Sequence, residues 1–275
     1  MKLKAALEKV LSKKELAFAP NAFDVVGKVA VLDVHSKLKK KAKKIAQKLL
    51  QLHPYLDSVY LKAPREGKFR TQKLKWLAGK KAEHVSHAEW GCIFHLNFGK
   101  VYFSPRLSTE RQRVVKQIKK GEKIAVFFAG VGPFAILAAK HASPSKVYAF
   151  EWNKIAVENL DENVRGNKVG GKVVSVRGDV AKMVPLLGEK FDRIIMPSPT
   201  TAKKYLPLAF KFAKKNATLH YYSFQKQPRG FEKALKELAR EAKKAKKRIA
   251  LLNCRIVTHY AKDSDEIVLD VKVKN

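Results

Sequence analysis

Glycines and a carboxylate follow two apolar runs in the second half of the sequence. Gly130 and Gly132 come directly after the run 124–128, and Glu151 ends the next run, 147–150. A glycine turn between a strand and a helix lets the backbone approach a ligand closely, and a carboxylate at the next strand end can accept hydrogen bonds from a ribose diol. The spacing therefore predicts a site for an adenosine cofactor.

Two more strand-like runs end in residues that suit the same site. Asp179 follows the run 173–176, where a carboxylate could meet an adenine amino group, and Pro197 and Pro199 follow the run 191–196. Ligands of open α/β sheets bind outside the carboxyl ends of the strands. We expect these strand ends to form one crevice.

The glycine pattern also discriminates between cofactors. A dinucleotide site usually has G-x-G-x-x-G, whereas Pro133 and Phe134 stand where this sequence lacks the third glycine. S-adenosylmethionine (SAM) carries no pyrophosphate and fits better. No metal is predicted, and the residues predicted to line the SAM pocket are Phe128, Ala129, Gly130, Val131, Gly132, Phe134, Glu151, Trp152, Asp179, Val180, Pro197 and Pro199.

The 275 residues, 46% of them hydrophobic, can form two domains. Residues 1–105 predict a small α+β domain, with paired strands over 23–34 and a strand-like piece at 100–103. Residues 106–275 alternate strands and helices and end in two strand-like runs, which predicts a doubly wound parallel sheet with an antiparallel hairpin at its edge. The N-terminus has no signal-peptide core, and no run is long enough to span a membrane, so we expect a cytoplasmic protein. We also expect it to be a monomer.

The formal charge of +34 favours a nucleic acid as the partner, because a field of that sign attracts polyanions. Two lysine-rich segments, 37–51 and 231–248, have helical apolar stripes, and each can be either a solvated helix face or an RNA contact.

Cys92 and Cys254 lie in different predicted domains and in apolar or strand-like surroundings, so we expect buried free thiols.

Longer strings resemble one family. The segment 102–111 reads Tyr-Phe-Ser-Pro-Arg-Leu-Ser-Thr-Glu-Arg, and it accompanies the glycine turn 128–134 and His-Tyr-Tyr at 220–222. Together they resemble the archaeal and eukaryotic tRNA (guanine-37, N1)-methyltransferases, which are related to the aminocarboxypropyltransferases of the wybutosine pathway. The resemblance covers nearly the whole chain. It implies a class I SAM-dependent methyltransferase fold, a Rossmann-like α/β sheet, with the small domain on the RNA side and the tRNA anticodon arm as partner.

The resemblance also implies roles for three side chains. Guanine N1 carries a proton at neutral pH, so methylation needs a base for that proton and a cation near O6. Glu110 is the implied base, Arg70 the implied O6 contact and Arg106 the residue that orients the glutamate. The alternatives are a phosphate contact for Arg70, a structural salt bridge for Arg106 and a helix-capping residue for Glu110.

The chain departs from the family pattern in three places. Phe127 replaces an acidic residue at the end of the first strand, and Pro197 replaces an asparagine that faces the target base. Proline offers no side-chain donor, so that contact must be replaced or lost; Ser198 is one candidate. We also expect the chain to lack the extra N-terminal domain that many archaeal relatives carry.

Three other functions are consistent with the same residues, two of them enzymatic. The enzyme could transfer the aminocarboxypropyl group of SAM to a tricyclic guanosine at tRNA position 37, or it could methylate a carbon of such a guanosine. A catalytically silent RNA-binding protein would keep the fold and the charge and would bind SAM without turnover. The main prediction is methyl transfer to N1 of guanosine 37.

Overall fold

The computed structural model describes residues 6–66, 71–261 and 263–274. The chain divides into two compact units, Met1–Arg106 and Leu107–Asn275. The α-helices are α1 Lys13–Leu16, α2 Ala42–Leu52, α3 Ser108–Val115, α4 Pro133–His141, α5 Lys154–Gly166, α6 Val180–Leu187, α7 Leu206–Phe212 and α8 Gly230–Lys244. Short 3-10 helices cover Leu7–Lys9, Ser36–Lys41, Pro105–Leu107 and Ala202–Tyr205. The strands are β1 Phe23–Val26, β2 Val29–Leu32, β3 Ser58–Glu66, β4 Thr71–Gly79, β5 His84–Glu89, β6 Cys92–Asn97, β7 Lys123–Phe127, β8 Lys146–Glu151, β9 Val173–Arg177, β10 Phe191–Met196, β11 Ala213–Lys226, β12 Arg248–Ala261 and β13 Ser264–Lys274.

The first unit is a small α+β structure. Its main sheet has the order β1-β2-β3-β4, and β5 and β6 form a separate hairpin. Helix α2 buries the stripe that includes Ile45 and Leu49 in the core of this unit, while its lysines face outward. A hydrophobic stripe that recurs at helical spacing drives this packing.

The second unit is built on a seven-stranded sheet with the order β12-β13-β11-β10-β7-β8-β9. Strands β7 to β11 run parallel, and the final hairpin adds β13 and β12 antiparallel at one edge. The central strands β7 and β10 are almost wholly buried, as expected for parallel strands with helices on both faces. This is the predicted fold class, a doubly wound sheet with an antiparallel C-terminal hairpin.

Several local predictions need correction. Helix α6 was not predicted, because Pro185 lies inside it and only eight residues are helical. Residues 100–103 form no strand. Cys254 is exposed rather than buried, because β12 is the edge strand of the sheet, whereas Cys92 is buried; both are free thiols. In the described part of the chain, no helix has the length and apolar character to cross a membrane.

Candidate active site

The glycine turn joins β7 to α4. Gly130 has φ +58° and Gly132 has φ +91°, conformations that glycine adopts without strain. A Cβ on Gly132 would lie 2.3 Å from Leu160 Cδ1, so this glycine also lets α5 approach the turn. Phe128 shares the left-handed conformation with φ +58°. The turn is therefore shaped by backbone geometry that few residue types permit.

Glu151 fastens this turn to the neighbouring strand end. Its Oε2 accepts a hydrogen bond from Gly130 N at 2.8 Å, and its Oε1 accepts bonds from Trp152 N and Asn153 N, both at 2.8 Å. A carboxylate has about four acceptor sites, so these three bonds leave one, on Oε2. Glu151 thus holds the turn in place, and one acceptor site on Oε2 remains.

Asp179 caps helix α6 at the next strand end. Its Oδ1 accepts a hydrogen bond from Ala181 N at 2.9 Å and one from the Tyr205 hydroxyl at 3.3 Å. Burial, and then the charge of Asp179, raise the pKa of Tyr205. The Tyr205 ring packs edge-on against Phe128 with centroids 5.1 Å apart. Tyr205 therefore joins two predicted cofactor residues, and no sequence signal identified it.

The remaining predicted cofactor residues lie at the carboxyl ends of the same parallel strands. Trp152 is exposed and follows Glu151. Four apolar members are buried: Ala129, Val131 and Phe134 in or next to the glycine turn, and Val180 at the start of α6. Pro197 and Pro199 flank Ser198, whose N–H bonds to Met196 O at 2.9 Å and whose hydroxyl lies 2.5 Å from Thr201 Oγ1. The Ser198 hydroxyl therefore already has a partner within its own turn.

The chemistry of these groups suits adenosine better than a phosphorylated cofactor. The segment 128–134 contains no lysine or arginine, and two carboxylates, Glu151 and Asp179, stand at the neighbouring strand ends. Such carboxylates accept hydrogen bonds from the hydroxyl and amino groups of an adenosine, and the segment offers no cationic side chain to a phosphate. In the described residues, no three His, Cys, Asp or Glu side chains group as a metal site would require.

Glu110 lies in the second unit, buried on helix α3 with a side chain 3% exposed. Arg113, one helical turn later, binds it in a fork: Nε donates to Oε2 and Nη2 to Oε1, each at 2.8 Å. The Tyr222 hydroxyl donates to Oε1 at 2.7 Å. Leu107, rather than Ser or Thr, occupies the N-cap of α3 and makes no side-chain capping bond, so the capping alternative for Glu110 is wrong.

Arg113 is shared with a second buried carboxylate. Its Nη1 lies 2.5 Å from Asp270 Oδ2, and Nη2 lies 3.2 Å from Oδ1. Burial alone would lower the pKa of Arg113, but its hydrogen bonds to Glu110 and Asp270 raise it. Burial alone would raise the pKa of Asp270, yet hydrogen bonds from His220 and Arg113 hold it below its usual range. The guanidinium thus neutralises two carboxylates at once.

His220 continues this buried chain as a neutral ring. Its Nδ1 lies 2.6 Å from Asp270 Oδ1, and its Nε2 lies 2.6 Å from Arg193 Nη1. Arginine only donates, so Nε2 must be the acceptor and Nδ1 must carry the proton. Burial lowers the pKa of His220, which favours the same neutral form. Arg193 then pairs with Glu122 at 2.7 Å.

Tyr222 connects the Glu110 cluster to the glycine turn. Its ring packs edge-on against Phe134, in the first turn of α4, with centroids 6.1 Å apart. Burial, and then the charge of Glu110, raise the pKa of Tyr222 well above its usual value, so the hydroxyl stays protonated and donates to Glu110. The candidate base and the candidate cofactor turn therefore belong to one packed arrangement.

The structure brings neither of the other two predicted catalytic residues, Arg106 and Arg70, into a described contact with Glu110. Arg106 belongs to the first unit, where its Nε donates to Asp24 Oδ1 at 2.5 Å, and its side chain is half-exposed. Arg70 lies outside the described residues. Asp270 and Arg255 near Glu110 were not predicted, because only folding brings β13 and β12 beside α3. Arg113 was also missed, although its spacing of three residues from Glu110 on one helix was a local signal. Tyr222 had a signal, since it ends the His-Tyr-Tyr string.

Comparison with known proteins identifies the family of the chain. The family described as "TRM5/TYW2 methyltransferase domain" matches residues 85–251, and "TYW2 N-terminal domain" matches residues 3–82. A tRNA (guanine(37)-N(1))-methyltransferase, Trm5b of Pyrococcus abyssi, is 36% identical over 257 residues, 93% of this chain and 76% of the relative. A tRNA(Phe) (4-demethylwyosine(37)-C(7)) aminocarboxypropyltransferase of Methanocaldococcus jannaschii is 32% identical over 75% of this chain and 81% of its own.

A solved structure extends the likeness to three dimensions. The complex of aTrm5 with tRNALeu contains a protein chain that superposes with a TM-score of 0.87 at 30% identity, covering 100% of this chain and 78% of that one. The match therefore includes both units of the chain, each compared with a counterpart in a tRNA-bound relative. On its sequence and its fold, the chain belongs to the TRM5/TYW2 methyltransferase family.

Proposed function

We propose that this protein is a SAM-dependent tRNA methyltransferase that transfers a methyl group to N1 of guanosine 37. The observation that carries the proposal is the buried carboxylate of Glu110. It lies in the Ser-Pro-Arg-Leu-Ser-Thr-Glu-Arg string and is linked through Tyr222 and Phe134 to the glycine turn. The relatives named for this reaction are similar over most of the chain.

The glycine turn and the adjacent strand ends hold SAM in this proposal. The free acceptor site on Glu151 Oε2 takes a ribose hydroxyl, and Asp179 takes the adenine amino group. SAM supplies an electrophilic methyl group on a sulfonium sulfur. The turn is connected to the candidate base through Phe134, which packs against Tyr222, and Tyr222 bonds to Glu110.

Glu110 acts as the general base. Two bonds from Arg113 and one from Tyr222 occupy three of its roughly four acceptor sites, which leaves one site on Oε2 for the N1 proton. As the N1–methyl bond forms, the N1–H bond breaks toward Glu110 and the electrons of the carbon–sulfur bond remain on sulfur. Protonated Glu110 then returns its proton to solvent.

Arg70 and Arg106 complete the proposed catalytic set. Arg70 contacts O6, where negative charge develops, and Arg106 orients Glu110. The partner is the tRNA anticodon arm, attracted by the charge of +34. We further propose that the enzyme acts as a monomer in the cytoplasm, and that the units divide near residues 105–106, with the first on the RNA side.

A second candidate is aminocarboxypropyl transfer to a tricyclic guanosine. The match of residues 3–82 to a TYW2 N-terminal domain favours it, as does the aminocarboxypropyltransferase relative. The two reactions use different carbon atoms of the same cofactor, so the product identifies the enzyme.

The test is incubation with SAM and two unmodified tRNA transcripts, one with guanosine and one with adenosine at position 37, followed by nucleoside mass spectrometry. We expect N1-methylguanosine from the first transcript alone. A third tRNA that carries 4-demethylwyosine separates the rival, because an aminocarboxypropyl product there, with no product from guanosine, would reject the main proposal. SAM binding without any product would indicate the silent RNA-binding protein.

A further inference from the structure

Arg255 is a second arginine beside Glu110. Its Nε lies 3.9 Å from Glu110 Oε2, the oxygen that keeps a free acceptor site, and its side chain is 42% exposed, whereas that of Glu110 is 3% exposed. At 3.9 Å the two atoms attract each other but are too far apart for a hydrogen bond. A group bound beside the pair could therefore contact both.

The register of the sheet explains why Arg255 points toward Glu110. Tyr222 pairs with Val268 across β11 and β13, and Arg255 pairs with the same Val268 across β13 and β12. Residues directly opposite on neighbouring strands share a face, so Tyr222 and Arg255 stand on one face, about 10 Å apart at two strand spacings. Glu110 lies over this face, bonded to one and near the other.

This pair of groups matches one edge of guanine. The N1–H donor and the O6 acceptor are neighbours on that edge, and Glu110 Oε2 beside the Arg255 guanidinium offers an acceptor next to a donor. Loss of the N1 proton places negative charge on O6, which a guanidinium stabilises. Pro197 offers no side-chain donor for this oxygen, and the Ser198 hydroxyl is engaged by Thr201.

We propose that Arg255 is a catalytic residue that donates a hydrogen bond to O6 of the target guanine while Glu110 takes the N1 proton. The inference rests on the proposed function. It assigns to the C-terminal hairpin a contact that Pro197 cannot supply, in addition to the one proposed for Arg70. The proton moves from N1 to Glu110, and Arg255 keeps its own protons throughout.

The experiment measures single-turnover methyl transfer to the guanosine-37 transcript at saturating SAM and enzyme, with tRNA binding measured separately. The variants are Arg255→Met, which keeps the apolar stem, and Arg255→Lys, with Arg248→Ala as a control that removes one exposed charge from the same strand. We expect Arg255→Met to slow transfer about 100-fold across the pH range, with the tRNA Kd within about twofold of the parent. Arg248→Ala is expected to transfer at the parent rate.

Three results would overturn the inference. One is an unchanged rate for Arg255→Met. Another is a loss confined to tRNA affinity, which would make Arg255 a phosphate contact. The third is a pH–rate profile of Arg255→Met whose acid limb is shifted and whose rate reaches that of the parent at high pH. That result would mean that Arg255 acts only through Glu110. Failure of the proposed function is separate, because the parent enzyme would then form no N1-methylguanosine.

Discussion

Two carboxylates in the second unit each accept three hydrogen bonds, but from different kinds of donor. Those of Glu151 come from backbone N–H groups, two of them within two residues of it in the chain. Those of Glu110 come from the side chains of Arg113 and Tyr222, and Tyr222 lies 112 positions away. Backbone donors are fixed once the strand end forms, whereas side-chain donors depend on tertiary packing.

The comparison implies that the two carboxylates have different roles. Arg113 and Asp270 add buried charges near Glu110 that must stay paired, and the neutral His220 ring bonds to Asp270. Glu151 has a simpler environment that shapes the turn and leaves one acceptor site. Substitutions around Glu110 should therefore lower the rate of methyl transfer or the stability of the protein, whereas substitution of Glu151 should lower the affinity for SAM.

The largest effect is expected for Glu110→Gln. Without a carboxylate to take the N1 proton, single-turnover methyl transfer should fall by about 10² to 10⁴-fold, while SAM affinity stays close to that of the parent. Transfer rates and calorimetric SAM binding check this. Glu158→Gln, an exposed carboxylate paired with Lys154, is the matched control. Transfer at the parent rate by Glu110→Gln would remove Glu110 as the base.

Arg113→Met should cost the most stability. It leaves Glu110 and Asp270 as buried carboxylates without their shared cation, so the free energy of unfolding should fall by about 3–5 kcal/mol. Urea unfolding measures it, with Arg240→Met, an exposed ion-pair partner, as the control. A loss as small as that of the control would mean that the buried ion pairs contribute little to stability.

Glu151→Ala should act on the cofactor first. Three backbone N–H groups lose their acceptor and the ribose loses its partner, so SAM binding should weaken about 10- to 100-fold. At saturating SAM the transfer rate should return to within a few-fold of the parent. Glu158→Ala serves as the control. A rate that stays low at saturating SAM would show that Glu151 takes part in the chemistry.

The smallest effect concerns pH. His220 has a pKa below its ordinary 6.5 in the folded protein, so between those two values the unfolded chain binds more protons. Stability should therefore fall as the pH drops below 6.5, by up to about 1.4 kcal/mol per pH unit from this group. Urea unfolding from pH 7.5 to 5 tests this against His220→Gln. Equal slopes in both proteins would exclude His220 as the source.

The cofactor half of the site was the more predictable half from sequence. Gly130, Gly132 and Glu151 lie within 21 positions, and the strand–turn–helix pattern that places them is local. The structure has that strand, turn and helix, with a bond from Gly130 N to Glu151 joining the two strand ends. What each residue binds stays a prediction. Helix α6, which Asp179 caps, was missed because a proline within eight residues obscures its periodicity.

The amino-acid sequence by itself determined the parallel sheet, its edge hairpin, the glycine turn and the basic character of the protein, since apolar periodicity and charge are local or additive properties. Only the tertiary structure decided which groups surround Glu110. The register of β11, β13 and β12 places Tyr222, Asp270 and Arg255 beside helix α3, although they are more than 100 residues from Glu110 in the chain. Strand register depends on the packing of the whole sheet, and no short motif encodes it.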